Sequence, residues 1–178
     1  MHNNFFFRFF PYFLILLAIA GRFFPHPANA TPIAAVAIFS GLYLRRRLGI
    51  IVPLAAMLLS DTIIGFYSLP IMLSVYGSFA SVGLAGAWTR KHKNVFTIGT
   101  VTISSSALFF LVTNWAVWQF GAMYAHTFAG LMESYAAGLP FWRSMLAGDV
   151  VYTTLLVGSY ELVMRAHTIR ARVAQKAG

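Results

Sequence analysis

Nine side chains in this strongly apolar chain have the chemistry to hold a solute or move a proton: Arg22, His26, Asn29, Asp61, Asn114, Trp118, Arg143, Asp149 and Tyr152. Asp61 and Asp149 stand out because only four acids occur in 178 residues. A carboxylate at the centre of a membrane helix costs about 2.5–3.5 kcal/mol on insertion scales, so such a residue is a functional candidate unless a partner explains it. For Asp61 the structural alternative is pairing with Arg22, Arg143 or loop amides. Asp149 lies deeper, roughly 12 Å into its span at helical rise. Trp142, Met145, Tyr152 and Thr153 share its helical face by spacing. No Ser-His-Asp spacing, no H-E-x-x-H and no Cys is present. His26, Asp61 or Asp149 as acid or base is therefore the only route to an intramembrane enzyme. No enzyme activity, metal or cofactor is expected; a Met1-His2 start alone does not make a metal site.

Two of these residues sit in the stretch RFFPHPANATPIA, residues 22–34. Proline fixes φ, removes a backbone donor and pushes the preceding residue to extended geometry. Pro25, Pro27 and Pro32 therefore end one apolar segment and begin another through a stiff, shaped loop. With His26 and Asn29 as its polar contacts, the loop is expected to act as a lid; the alternative is a connector in which His26 caps a helix or pairs with Asp61.

These residues are positioned by a chain that is 59% hydrophobic and 10% charged, too apolar for a water-covered surface. Its net charge of +9 comes in clusters: Arg8; Arg45 to Arg47; Arg90, Lys91 and Lys93; and Arg165, Arg170, Arg172 and Lys176. Only Arg22 and Arg143 lie elsewhere, so the clusters share one side if the spans between them come in pairs. By the positive-inside rule that side is cytoplasmic. The expectation is an all-α polytopic membrane protein, a single domain of six transmembrane helices at about 5–24, 30–44, 48–66, 70–88, 95–118 and 141–164. Both termini would be cytoplasmic, residues 165–178 would be a basic tail, and the setting would be the bacterial inner membrane. A cleaved signal peptide ending at Ala28-Asn29-Ala30 is the rival for the first span.

Small residues mark two close-packing faces, Ala30/Ala34/Ala37/Gly41 and Ser74/Ser78/Ser81/Ala85, which suit helix contact inside the bundle or a partner protein. Thr102, Ser106 and Thr113 share a face of the fifth span. Trp115 and Trp118 read as an interfacial belt or, with Tyr124 and Phe128, as a pocket wall. Residues 119–140 are expected as an outer connection in which TFAGLMESYAAGL forms a short surface helix. Glu161 and Arg165 suit an i, i+4 pair. Arg22, His26, Asn29, Asp61, Asn114, Arg143 and Asp149 all fall in the outer half, and the inner half has basic loops and little buried polarity. That asymmetry suits a pocket open to one side better than a channel or a complete alternating-access carrier.

RFFPHPANATPIAAVAIFSGLYL, VPLAAMLLSD, FFLVTNWAVW and GLPFWRSMLAGDVVYTTLL resemble an uncharacterised family of small bacterial membrane proteins labelled as transport proteins. In size, span count and loop placement that family is similar to the substrate-binding (S) components of energy-coupling-factor vitamin transporters. The resemblance implies a vitamin-like solute held near the outer surface under the first loop. It also implies a transmembrane coupling protein with ATPase subunits as partner, and no nucleic acid. Residues 22–32 would be the lid, and Asn114, Trp118, Asp149 and Tyr152 the pocket wall. The first helix lacks the A-x-x-x-A contact common in S components; Ala30 and Ala34 are its nearest analogue. A structural or assembly protein without a ligand is the remaining alternative.

Overall fold

The computed structural model describes residues 4–21, 23 and 29–177; Arg22, His26 and most of the proline loop lie outside the described residues. Among the described residues, six α-helices and one 3₁₀ turn follow in order: α1 (Asn4–Gly21), α2 (Ile33–Tyr43), α3 (Arg46–Ile64), α4 (Leu69–Thr89), the turn Arg90–His92, α5 (Val95–Phe120) and α6 (Phe128–Ala177). These residues form no strand. Among them, three stretches are long and apolar enough to cross a membrane: Arg47–Ile64, Leu69–His92 and Val95–Phe120. That is the signature of a membrane protein.

Local chemistry sets the helix ends. Asn94 accepts a hydrogen bond from the Thr97 amide at 2.8 Å and caps α5. Pro70, in the first turn of α4, needs no amide partner there. Gly65, at φ 115°, closes α3 in a conformation that other residues avoid.

Two helices differ from the hydropathy reading. Helix α2 has only 11 residues, about 16 Å of rise against a hydrocarbon core of roughly 30 Å. Its start is set by Asn29 in the left-handed region, at φ 62°, and by Pro32 at the N-cap. Its end is set by Leu44, whose backbone is extended. Ten of its residues, Ile33 to Leu42, are buried, so it is apolar on every side because protein surrounds it, not lipid. Helix α6 has 50 residues and absorbs both the expected surface helix and the tail. Only 121–127 remain as a loop. The α6 helix continues through Pro140. Its first turns are tied to α5: Ser134 Oγ donates to the Asn114 carbonyl at 3.0 Å and Tyr135 Oη to the Leu111 carbonyl at 3.1 Å.

The core is built around α2. Ile15 of α1, Ala35, Val36 and Phe39 of α2, and Leu156 of α6 pack on one side. On another, Ile33 and Ala34 meet Ala56 and Met57 of α3 and Phe79 of α4. The closest approach is a glycine contact: a Cβ on Gly41 would stand 2.5 Å from the Gly83 carbonyl oxygen, and one on Gly83 would collide with the Gly49 carbonyl. Helices α2, α3 and α4 thus touch backbone to backbone, the packing available where lipid supplies no hydrophobic drive between helices. The face Ala30/Ala34/Ala37/Gly41 is used inside the fold. On α4 the contact is made by Val82, Gly83 and Gly86, which are buried, while Ser81 is exposed and bonds back to the Gly77 carbonyl.

One end of the bundle gathers the basic clusters. Arg90 donates to the Gly41 carbonyl at 2.6 Å and to the Leu44 carbonyl, satisfying the end of α2. Glu161 accepts from Lys93 Nζ and from Tyr43 Oη, each at 2.6 Å, and Arg165 one turn on adds its attractive charge. Lys93 also lies 5.1 Å from the Tyr43 ring centroid.

The glycine contact fixes an expected outcome. Gly83→Ala lowers stability by about 1–3 kcal/mol, the usual cost of overpacking. Gly77→Ala on the same helix, where a Cβ meets nothing within 4 Å, is neutral or slightly stabilising. Unfolding of the two variants in detergent checks the contrast.

Candidate functional site

At the end of the bundle opposite the Arg90 and Glu161 network, the short α2 leaves space. The cavity there has a volume of ≈ 200 Å³. Asn29 and Thr31 border it from the segment before α2, and Ala34 from its first turn. Met57 contributes from α3 and Tyr67 from the α3–α4 turn. Val75, Phe79 and Val82 of α4 and Phe109 of α5 make the apolar wall. The polar groups of the interior wall are Ser105 of α5 and Asp149 of α6, with Met145 one turn before Asp149.

A second compartment of ≈ 170 Å³ adjoins it, sharing Asn29, Phe109 and Met145. It is walled by Asn114 and Thr113 of α5 and by Trp142 of α6. Asn114 packs tightly against Gly138, where a Cβ would collide with Asn114 Oδ1, and its Nδ2 donates to the Phe110 carbonyl at 2.8 Å. Trp142 stacks on Phe110 with ring centroids 5.2 Å apart. Gly148, beside Asp149, brings α6 against Ala30; a Cβ there would lie 3.0 Å from the Ala30 Cα. The described end of the proline loop therefore rests on the helix that carries the acid.

The two aspartates have opposite surroundings. Asp61 is 2% exposed and its Oδ2 accepts from Tyr76 Oη at 2.9 Å; it does not border the cavity. Asp149 is 1% exposed, and its Oδ2 is enclosed with no hydrogen-bond partner. Ser106 interacts with the carboxyl, but in a geometry that satisfies neither Asp149 Oδ2 nor its own hydroxyl. Thr153, one turn further along α6, also has an unpaired buried hydroxyl, and Trp142 has an unpaired indole N–H. Buried polar groups are almost always satisfied, and each exception needs a reason. An ionised carboxylate left alone in a low-dielectric interior is among the costliest, at several kcal/mol.

Of the nine candidates, Asn29 and Asp149 border the main cavity and Asn29 and Asn114 the adjoining one. Trp118 sits at the α5–α6 turn, where its indole donates to the Ala125 carbonyl at 2.9 Å, and it borders neither compartment. Arg143 is exposed, on a different face of α6. Tyr152 packs against the α1–α2–α6 core. Arg22 and His26 lie outside the described residues. Trp115 and Phe128 are exposed, as suits a belt and not a pocket wall. Spacing places Met145 on the face of Asp149, but it gives no sign of Phe79, Phe109 or Ser105. In a chain with 17 Phe no single one stands out; Ser105 is next to the noticed Ser106 and faces the cavity.

Tyr76→Phe removes a hydrogen bond from a buried carboxylate and lowers stability by about 1–3 kcal/mol. Chemical unfolding of the variant against the wild type measures it.

No curated protein and no solved structure matches the chain. The model of a family of unknown function matches residues 4–172. The chain belongs to that family, DUF6580.

Proposed function

We propose that the protein is a membrane transport component that captures a small organic solute in the cavity beneath Asn29. The observation that carries this reading is the cavity itself: five helices enclose a mostly apolar space, and its wall holds a buried carboxylate with an unpartnered oxygen. A few convergent polar groups in an apolar cleft are what a ligand site looks like. The size argues for a compact solute, since an apolar cavity of about 150 Å³ already holds benzene.

In this reading the helices form a six-segment bundle in the bacterial inner membrane, with α2 as a short inner segment. The basic clusters at the Arg90 and Glu161 end support a cytoplasmic placement of that end and of both termini. The cavity at the other end then opens outward, with residues 22–32 as its lid. Solute capture under the first loop is what the S components of energy-coupling-factor transporters do, and a coupling protein with ATPase subunits is the corresponding partner. Ala30 and Ala34 are buried, so docking on such a partner would use another surface. Among the described residues, no second carboxylate and no basic side chain borders the cavity with Asp149, which favours binding over enzymology. The internal use of the small-residue face weighs against an assembly role.

Thermal unfolding in detergent against a panel of vitamins and nucleobases tests the reading. At least one compound is expected to stabilise the wild type, by about 2.7 kcal/mol when present at a hundred times its Kd. Val75→Trp, which fills the cavity from a half-buried position, keeps the fold and loses the response. No response from any panel member overturns the proposal.

A further inference from the structure

Two residues of one helix that carry a buried, unsatisfied polar atom line the two compartments. Asp149, with its Oδ2 acceptor, borders the larger compartment, and Trp142, with its indole donor, the smaller one. They are seven residues apart on α6. Seven residues are nearly two full turns, so both project from the same face, about 10 Å apart along the axis. Between them is Met145, which borders both compartments. Its unbranched thioether side chain can shift to join or divide them. The remaining shared wall is the Phe109 ring and Asn29.

This arrangement is asymmetric, and the asymmetry selects a ligand. The buried end carries negative charge or a strong acceptor, with Ser105 and the unpaired Ser106 hydroxyl close by. Among the described residues, no lysine, arginine or histidine borders either compartment. A carboxylate so placed favours a cation that brings its own charge, because the pair then offsets a burial cost that neither bears well alone. An anionic solute would meet Asp149 with like charge and, among the described residues, no basic side chain to compensate. At the other end, an indole N–H satisfies only an acceptor. Phe79 and Phe109, with ring centroids 4.9 Å apart, line the larger compartment and offer aromatic surface to a flat body.

Resting on the capture reading above, we infer that the natural ligand is a compact single-ring organic cation. Its protonated nitrogen pairs with Asp149, and a carbonyl or equivalent acceptor at its far end accepts from Trp142. A para-substituted ring with a hydrogen bond at each end spans the roughly 10 Å between the two groups.

Four probes of similar size separate the elements of this assignment: 4-(aminomethyl)benzamide, benzylamine, benzamide and benzoate. Calorimetric titration of the purified full-length protein is expected to rank them in that order, with benzoate not binding. Asp149→Asn weakens both amines at least tenfold and leaves benzamide unchanged. Trp142→Phe weakens 4-(aminomethyl)benzamide several-fold and leaves benzylamine unchanged. The ranking is read on wild-type protein, so it decides the matter even where a variant fails to fold. Benzamide or benzoate binding as tightly as the amines overturns the cationic assignment, as does undiminished amine binding in Asp149→Asn. If that binding is lost in Val75→Trp, the capture reading survives the loss of the ligand class. Absence of binding by all four probes also overturns the assignment, and the vitamin and nucleobase panel then decides whether capture falls with it.

Discussion

Helix α2 is 11 residues long where a bilayer span takes about 20, and most of the architecture follows from that shortfall. Protein buries it on every side, which is possible only because Gly41, Gly49 and Gly83 let three backbones touch. That contact lies at the basic end, where Arg90 closes the α2 carbonyls. At the other end, the helix stops at Ile33 and the chain turns through Pro32 and a left-handed Asn29. The surrounding helices continue past that point, and the volume they enclose is the cavity. The tight end and the open end are two consequences of one short helix.

Within that volume the distribution of satisfied and unsatisfied polar groups separates structure from function. Asp61 has a tyrosine hydroxyl against it and belongs to the bundle. Asp149 is at least as deeply buried and has an oxygen that nothing in the described structure satisfies. A fold gains nothing from such a group unless something else supplies the partner. The proposal of a captured cation gives Asp149 that partner, and gives the unpaired Trp142 a reason as well.

Much of this was legible in the sequence. Apolar run length located α3, α4 and α5 to within about two residues at each end, because lipid-facing helices must be continuously apolar. The same rule misread α2, since an apolar run looks identical whether lipid or protein surrounds it. It also misread α6. The interrupted composition of residues 119–140 reads as a connection with a separate surface helix, but Ser134 and Tyr135 pair with α5 and the helix runs through. Asp149 and Asn29 were visible as polar residues in an apolar context. Their company was not: Phe79 and Phe109 come from different helices, and only tertiary packing brings them together. Nor could spacing show that Asp61 meets Tyr76 while one oxygen of Asp149 is left unsatisfied.

The central claim is that the space beside Asp149 belongs to a small cationic solute. Native mass spectrometry of protein freshly extracted from its own membrane tests it most directly. The account predicts a one-to-one adduct far lighter than a phospholipid and containing a basic nitrogen. Protein that carries only lipid-mass adducts, or none, would contradict it.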